Sequence, residues 1–545
     1  MNYVNRRTLL KAGGALAVAT SGAHAADASP AGSGEIFSHG VASGDPTEAG
    51  ALLWTRVTPT PEAVPGSGAG PDCSVEWEVA SDESFQRVVA RGTVTTGAQR
   101  DHTVKVDVQG LAPTTWHWYR FRTLGAVSPT GRTRTAPAAG ASVPRLRMGV
   151  VSCSNWQAGY FAAYRHLAAR DDLDAVMHIG DYLYEYAPGE YQARDVVVRP
   201  HDPPVEMTAL EHYRRRHAQY KTDPDLRALH ARLPLIATWD DHESANDAWS
   251  GGAENHAEGA EGAWADRARA SQQAYAEWMP VRYEPGSNLY RRFRFGSLAE
   301  LSMLDLRSYR SKQVDTVAGP GIDDPGRTIT GDAQMRWLTT GIAEARARWK
   351  LVGNPVMIAP VRFPSTLSAE ERQALSELTG TPAVSGVPYN VDQWDGYTAD
   401  RAELFSFLRD NEIRNTVFLT GDIHSAWAAE LPVAPSTYPV DRNSVGTELV
   451  CTSVTSDNLD DILRVPPRTA SLSVESAIRA NNPHIKHLEF DSHGFSVLDV
   501  TDERVQMDWY DLVDRTDPAS GAAHAVSFAV AAGTQHLTPA KEPLR

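Results

Sequence analysis

Cysteine and basic residues are both scarce in this sequence. Of its 545 residues only Cys73, Cys153 and Cys451 are cysteines, too few and too scattered for a disulfide framework or a thiolate zinc finger. The 52 Lys and Arg residues are outnumbered by 68 Asp and Glu residues, which gives a formal net charge of −16. This balance excludes a broad nucleic-acid-binding surface, because phosphate backbones bind basic stripes. A local cationic pocket, such as bound metal ions would supply, stays compatible with it.

Residues 1–25 are typical of a twin-arginine signal peptide. Arg6 and Arg7 precede a weakly apolar stretch, and Ala23–Ala25 supplies a small-residue cleavage site. The apolar stretch is shorter than the roughly 20 residues of a membrane span. The alternative is a chance Arg-Arg pair before an ordinary Sec signal. We expect a periplasmic or secreted protein that uses the Tat export machinery and has no stable membrane anchor.

Residues 36–137 have the pattern of short β-strands. Val75–Val79 and Val104–Val108 alternate with a period of two, and Thr115–Phe121 follows the turn at Leu111–Pro113. This arrangement resembles the late strands of a fibronectin or immunoglobulin-like fold. It predicts an N-terminal β-sandwich domain.

Residues 145–515 change to strands that alternate with helices, which predicts an α/β domain. The linker is Thr135–Ser142, Gly251–Ala263 is expected to be a mobile surface loop, and 516–545 a C-terminal tail. Polar motifs follow nearly every predicted strand, as expected where loops at one sheet edge build an active site. The predicted strands are Leu146–Ser152, Asp174–Ile179, Leu235–Trp239, Leu301–Leu306, Leu351–Ile358 and Thr416–Thr420, and the predicted helices lie in Phe161–Ala169 and Leu210–Leu233.

Five polar clusters lie at strand ends. A Gly-Asp pair after a strand is most often only a turn, and a lone His is most often a core residue. Several Asp- and His-rich clusters in one α/β region instead indicate a metal site, because hard cations need oxygen ligands that converge from different strands. The clusters are Val151–Asn155, Ile179–Glu185, Trp239–Glu243, Gly353–Pro355 and Thr420–Ser425.

The order Gly-Asp-x-x-Tyr, Asp-His-Glu and Gly-x-x-His resembles the calcineurin-like metallophosphoesterases. The fuller set of motifs is similar to the alkaline phosphatase D (PhoD-like) family within that superfamily. This resemblance implies a β-sandwich followed by a four-layer αββα metallophosphoesterase domain. The motifs that carry it are Phe37–Pro46, Ser152–Ser154, Trp239–Glu243, Leu304–Arg310 and Gly421–His424.

The resemblance implies Fe(3+) and Ca(2+) as cofactors. Asp181 matches the carboxylate that bridges two metals, and Tyr184 matches a phenolate ligand of ferric iron. Asp422 stands where the superfamily has a His, and this exchange favours calcium over zinc. The full set of implied metal ligands is Cys153, Asp181, Tyr184, Asp240, Asp241, Asn354, Asp422 and His424.

His242 is assigned to catalysis, because the matching His of the superfamily faces the substrate and can protonate a departing alkoxide. Asp181 is also placed in the catalytic set, with Asn155 and Arg307 as phosphate contacts. Arg307 has an alternative role in an internal ion pair with Asp305.

The implied activity is hydrolysis of phosphate mono- or diesters by metal-activated water, as in an alkaline phosphatase. A phospholipase D-like phosphodiesterase on the same fold is the alternative. A surface-binding protein with a structural metal is a third interpretation. The sequence leaves open the natural substrate, the exact metals, the oligomeric state and whether a loop or the tail covers the site.

Overall fold

A computed structural model of the chain describes residues 33–194, 196–314 and 320–544. The predicted signal peptide, residues 1–25, lies outside the described residues. Across the described ranges, no helix combines the length and apolarity needed to cross a membrane.

Strands in the described ranges are numbered β1 to β22 in chain order. They are β1 (Val41–Thr47), β2 (Gly50–Arg56), β3 (Cys73–Ala80), β4 (Val88–Thr96), β5 (Thr103–Gln109), β6 (Trp116–Thr123), β7 (Ala126–Val127), β8 (Gly131–Arg134), β9 (Leu146–Val151), β10 (Ala175–Ile179), β11 (Leu235–Thr238), β12 (Arg291–Phe295), β13 (Ala299–Met303), β14 (Trp349–Asn354), β15 (Thr416–Thr420), β16 (Ala426–Glu430), β17 (Thr447–Val450), β18 (Ile485–Glu489), β19 (Gly494–Val500), β20 (Arg504–Leu512), β21 (Ala522–Ala531) and β22 (Leu537–Pro539).

Helices are numbered in the same way. They are α1 (Ser33–Ile36), α2 (Ala162–Ala168), α3 (Leu210–Tyr220), α4 (Pro224–Arg232), α5 (Glu258–Glu261), α6 (Trp264–Trp278), α7 (Asp332–Glu344), α8 (Ala369–Thr379), α9 (Thr398–Asp410), α10 (Tyr438–Asp441), α11 (Leu459–Leu463) and α12 (Ser471–Asn481).

Three sheets organise these strands. A ten-stranded sheet has the order β22-β21-β20-β19-β9-β10-β11-β1-β2-β5, and a seven-stranded sheet the order β12-β13-β14-β15-β17-β16-β18. A five-stranded sheet contains β4-β3-β6-β7, with β8 paired to β6. β9, β10 and β11 are parallel neighbours, and so are β13, β14, β15 and β17. Their carboxyl ends therefore meet at common sheet edges.

Buried apolar side chains pack the two large sheets together and cover their outer faces. Met177 of β10 and Leu419 of β15 belong to one core that joins the two sheets. Leu229 of α4 belongs to a second core on the ten-stranded sheet, and Leu404 of α9 to a third on the seven-stranded sheet. The chain is thus a mixed α/β protein with several sheets.

The N-terminal strands are joined to the ten-stranded sheet on one side. The five-stranded sheet packs over β1, β2 and β5 around a small core that includes Val75, Val108 and Phe121. However, β1 also pairs with β11 through Gly44 and Leu235, so this face continues into the ten-stranded sheet. The N-terminal β-sandwich domain stays a prediction. The link from β1 to β11 was not expected, because pairing between strands so distant in sequence leaves no local pattern.

Residues 516–545, expected to be a tail, supply β21 and β22 at one edge of the ten-stranded sheet. Phe528, Val530 and Leu537 pack into the core between the two large sheets. This segment is therefore structural. The Gly251–Ala263 segment contains α5, and its buried Asn255 donates from Nδ2 to Glu185 Oε1 at 2.7 Å.

Candidate active site

Four strand ends deliver the polar clusters to one place. Cys153 follows β9 by two residues, Asp181 follows β10 by two, Asp240 follows β11 by two and Asp422 follows β15 by two. The first three strands belong to the ten-stranded sheet and β15 to the seven-stranded sheet. The site therefore lies where the edges of the two packed sheets meet.

The backbone is strained at the predicted ligands. Cys153 (φ 59°), Asp181 (φ 54°), Asp422 (φ 65°) and His424 (φ 53°) all adopt the left-handed region that non-glycine residues rarely occupy. Such conformations cost on the order of 1–3 kcal/mol each and cluster at functional sites. Four of them lie just after the three strands β9, β10 and β15, which favours this edge as a candidate functional site.

The glycine of each Gly-Asp motif permits a close approach between loops. A Cβ on Gly180 would lie 2.5 Å from the Asp240 Cβ, and one on Gly421 would lie 2.7 Å from the Ser152 Cβ. Both motifs were open to interpretation as simple turns. The packing shows that they also bring loops into contact, from the neighbouring strands β10 and β11 at Gly180 and from β15 and β9 of the two different sheets at Gly421.

Asp181 is common to three groups of side chains whose ligand atoms lie within 4.8 Å of one another. One group adds Cys153 and His424, a second adds Asp241 and His242, and a third adds Asp240, Asp241 and Asp422. Each group could hold a metal ion. A shared carboxylate is the arrangement expected of a bridging ligand.

The Asp181 carboxylate is buried and only partly satisfied. Its Oδ2 accepts a hydrogen bond from Tyr184 Oη at 3.0 Å, whereas Oδ1 has no partner among the described residues. Burial raises the pKa of Asp181 well above its usual value; His242 lowers it, and Asp241, Asp240 and Glu243 raise it further. A buried carboxylate with an unpaired oxygen among other carboxylates has the properties of a metal ligand.

Cys153, Tyr184 and His424 surround one side of Asp181. The Tyr184 oxygen accepts from Ser456 Oγ at 2.7 Å, and His424 Nδ1 donates to the Asp457 carbonyl at 3.0 Å. Burial raises the pKa of the Cys153 thiol and of the Tyr184 phenol well above their usual values, and Asp181 adds to both shifts. Both groups therefore need a cation to be held as anions.

Asp240, Asp241 and Asp422 lie on the other side of Asp181, together with Arg307. Burial raises the pKa of Asp240 to about 6 despite the opposing charge of Arg307, and it raises the pKa of Asp422 well above its usual value. Burial would also raise the pKa of Asp241, but Arg307 and His242 lower it. The set combines negative charge with a single guanidinium held among the carboxylates.

Arg307 binds Asp240 with two hydrogen bonds, at 2.6 and 2.7 Å, and Asp392 with one at 2.8 Å. The contact between Asp305 and Arg307 is limited to the Arg307 backbone N–H, which donates to Asp305 Oδ1 at 3.2 Å. The alternative ion pair with Asp305 is therefore replaced by pairs with Asp240 and Asp392.

His242 forms a buried pair with Glu185. Its Nδ1 donates to Glu185 Oε2 at 2.8 Å, and its ring centroid lies 4.2 Å from that of Tyr184. Burial alone would lower the pKa of His242, but the charges of Asp241, Glu185 and Asp181 raise it well above its usual value. The ring is fixed in orientation and is favoured in its protonated form.

Asn155 and Asn354 have their amides engaged by the protein. Asn155 Oδ1 accepts from the Gln157 N–H at 3.0 Å and Nδ2 donates to the Tyr191 carbonyl at 2.7 Å. Asn354 Oδ1 accepts from Trp394 Nε1 at 3.0 Å, and Nδ2 donates to the Val356 carbonyl at 2.6 Å. Their proposed roles toward phosphate and metal stay predictions.

Several residues that shape the site are not among the predicted site residues. Glu243 accepts hydrogen bonds from the backbone N–H groups of Asp181, Tyr182 and Asp240. Its position directly after His242 is the sequence feature from which this role could have been predicted. Tyr191 stacks on His242 with centroids 5.9 Å apart, but it lies in a loop without periodicity. Glu185, Asp392 and Gln393, which donates to Asp422, complete this set.

Comparisons with known proteins agree along nearly the whole chain. The family model described as PhoD-like phosphatase matches residues 148–509, and that of the PhoD-like phosphatase N-terminal domain matches 22–137. Alkaline phosphatase D of Bacillus subtilis (strain 168) is 34% identical, over 97% of this chain and 88% of the relative. The solved structure titled "Structure of PhoD" superposes with a TM-score of 0.82 at 33% identity, covering 95% of this chain and 94% of that chain. The chain therefore belongs to the PhoD-like phosphatase family.

Proposed function

We propose that the protein is an exported, metal-dependent hydrolase of phosphate esters with alkaline phosphatase activity. The observation that carries the proposal is the convergence of three possible ligand groups on the buried carboxylate of Asp181. The Oδ1 of Asp181 has no hydrogen-bond partner among the described residues, and the pKa of Asp181 is raised. Both observations support the binding of a metal ion at this carboxylate.

Two kinds of donor support two different metals. Cys153 and His424 offer sulfur and imidazole donors, and Tyr184, 3.0 Å from Asp181, adds a phenol; this set suits Fe(3+). Asp240, Asp241 and Asp422 offer the carboxylates that suit Ca(2+). Asp181 would bridge the two positions. Metal ions held there would supply Lewis acidity toward the phosphoryl oxygens and activation of water.

His242 and Glu185 supply proton transfer in this mechanism. Glu185 holds Nδ1–H of His242, so the proton given to the departing alkoxide comes from Nε2. The Tyr184 ring, 4.2 Å from the imidazole by centroids, keeps the His242 plane fixed. General acid catalysis of this kind is worth about 10²–10⁴-fold in rate.

Diester hydrolysis, including phospholipase D-like cleavage, uses the same groups and differs only in what the pocket admits. The Arg6-Arg7 pair supports Tat-dependent export to the periplasm or beyond. A protein that only binds surfaces would retain its ligand without turnover.

The test is to purify the mature protein, measure its metal content and assay phosphate monoesters and diesters side by side. We expect bound iron and calcium, with hydrolysis of at least one ester class. Full activity with zinc and without iron would overturn the metal assignment. Ligand retention without turnover of either class would favour the binding protein instead.

A further inference from the structure

The Ser453–Asp457 segment forms hydrogen bonds with three of the proposed metal-ligand residues. Thr455 and Ser456 donate their backbone N–H groups to the Cys153 carbonyl at 3.3 and 3.4 Å. Ser456 Oγ donates to the Tyr184 oxygen at 2.7 Å, and the Asp457 carbonyl accepts from His424 Nδ1 at 3.0 Å. One short segment therefore contacts the backbone of Cys153, the Tyr184 phenol and the His424 imidazole.

The segment is itself held firmly. Ser453 forms a parallel bridge with Ser152, next to Cys153. Arg515 donates to the Thr455 carbonyl at 2.7 Å and to Asp457 Oδ1 at 2.6 Å. Since Arg515 is itself buried, these contacts tie the segment to the region just after β20. Its hydrogen-bonding groups are thus fixed relative to the ligands.

Ser456 makes the one described side-chain contact from this segment to a ligand atom. Its side chain is fully buried, and its hydroxyl proton has two acceptors in reach, the Tyr184 oxygen at 2.7 Å and the Cys153 carbonyl oxygen at 3.1 Å, of which Tyr184 is the nearer. The Tyr184 hydroxyl donates its own proton to Asp181 at 3.0 Å. A phenolate lacks that proton and only accepts hydrogen bonds, and the Ser456 hydroxyl is a donor already in place for it.

We propose that Ser456 is a positioning residue that donates a hydrogen bond to the Tyr184 oxygen and orients this oxygen as a ligand of ferric iron. The Asp457 carbonyl meanwhile fixes the tautomer of His424 that leaves Nε2 available to the metal. The inference rests on the proposed metal site and deepens it. Residues that orient metal ligands in this way typically contribute 10–100-fold to metal affinity.

The proposal has a spectroscopic consequence. A hydrogen bond to a phenolate oxygen withdraws electron density from it, so its removal lowers the energy of charge transfer from phenolate to ferric iron. The band of the iron-loaded Ser456→Ala variant is therefore expected at longer wavelength than that of the unmodified protein. Its ferric affinity, measured by chelator competition, is expected to fall 10–100-fold.

Ser496→Ala is the matched control, because Ser496 is equally buried on β19 and its hydroxyl has no partner among the described residues. This variant should keep both the band position and the affinity. Circular dichroism of each variant verifies that the fold is retained.

Three results decide the matter separately from the proposed function. A band at the same wavelength in Ser456→Ala and the unmodified protein overturns the inference. An iron-loaded protein that is active but has no phenolate band also overturns it, while phosphatase activity stands. A band that shifts in Ser456→Ala in a protein without phosphatase activity supports the inference and contradicts the proposed function.

Discussion

Two sets of buried titratable side chains lie near β10, and burial affects the charge of the two sets differently. The carboxylate set, at the strand ends, consists of Asp181, Asp240, Asp241 and Asp422. The imidazole set, on the helix side of the same sheet, consists of His178, His217, His230 and Lys221. Burial lowers the pKa of His178 to about 3 and that of Lys221 to about 7, and it lowers those of His217 and His230 well below the usual value.

Burial favours the uncharged form throughout the imidazole set, although both ring nitrogens of His217 and the Nδ1 atoms of His178 and His230 have no hydrogen-bond partner among the described residues. His230 Nε2 lies 2.9 Å from Tyr182 Oη, and Lys221 Nζ donates to the same oxygen at 3.0 Å. His178 pairs with Tyr164 at 3.1 Å. The carboxylate set has one guanidinium, that of Arg307, among four acids. Burial of titratable groups alone therefore does not identify a functional site. A buried excess of negative charge that the protein does not compensate is the more informative signal.

The sharpest way to break this comparison is Asp181→Asn. The change removes the carboxylate shared by all three possible ligand groups, so we expect kcat to fall by about 10³-fold or more, as several kcal/mol of charge stabilisation are lost. Steady-state kinetics with metal analysis provides the measurement. Lys221→Met, which alters a buried charge in the imidazole set, should leave kcat within about threefold. Equal losses in the two variants would contradict the distinction.

His242 differs from the three histidines of the imidazole set because its neighbours favour its charged form. We expect His242→Asn to lower kcat by about 10²-fold or more on an alkyl phosphate. The loss should be smaller on a p-nitrophenyl ester, whose leaving group needs no proton. His230→Gln is the control and should show no dependence on the leaving group. A uniform loss across both esters would argue against a general acid.

Metal removal should expose the carboxylate set. We expect chelation to lower Tm by roughly 10 °C or more, because metal binding to the folded state contributes directly to stability. In the metal-depleted protein the raised pKa of Asp181, Asp240 and Asp422 means that the folded state binds more protons than the unfolded chain. The stability that these protonated carboxyl groups contribute should be present below the unfolded pKa of about 4 and be lost as pH rises through their folded-state pKa, which is about 6 for Asp240.

Differential scanning fluorimetry with and without chelator, from pH 4 to 8, measures this effect. The difference in Tm between the two forms should widen with rising pH. Parallel curves would show that cations do not compensate the carboxylate set.

Lys221 gives the smallest expected effect. Its pKa of about 7 lies below the unfolded value of about 10.4, so between these limits the unfolded chain holds a proton that the folded protein lacks. Stability from this group should therefore rise with pH from about 7 to 10, by a few degrees in Tm, and be flat below 7. Lys221→Met should abolish that rise. A variant with an unchanged slope would place the charge elsewhere.

The strand-end motifs were predictable because parallel strands bring their carboxyl ends to one edge. Cys153, Asp181 and Asp422 each follow a predicted strand, and the structure brings them together. The sequence could not predict that β15 belongs to a different sheet from β9 and β10, because periodicity identifies strands but not the strands with which they pair.

Other features lacked any local signal. The pairing of Gly44 with Leu235, which merges the N-terminal strands with the large sheet, joins positions far apart in the chain. The contact of Tyr191 with His242 depends on the left-handed backbone conformation of Tyr191, which no sequence motif predicts. The contact of Ser456 with Tyr184 likewise arises only from tertiary packing.

The placement of β19 beside β9 has a consequence for folding. β9, which leads to Cys153, has β10 on one side and β19 on the other, and Arg147 bonds to Asp499 across 352 residues. Such non-local pairing is slow, because a very long loop must close before the contacts form. The strand that leads to Cys153 therefore acquires its second neighbour only when residues near 500 are available, and we expect assembly of the candidate site to be a late step in folding.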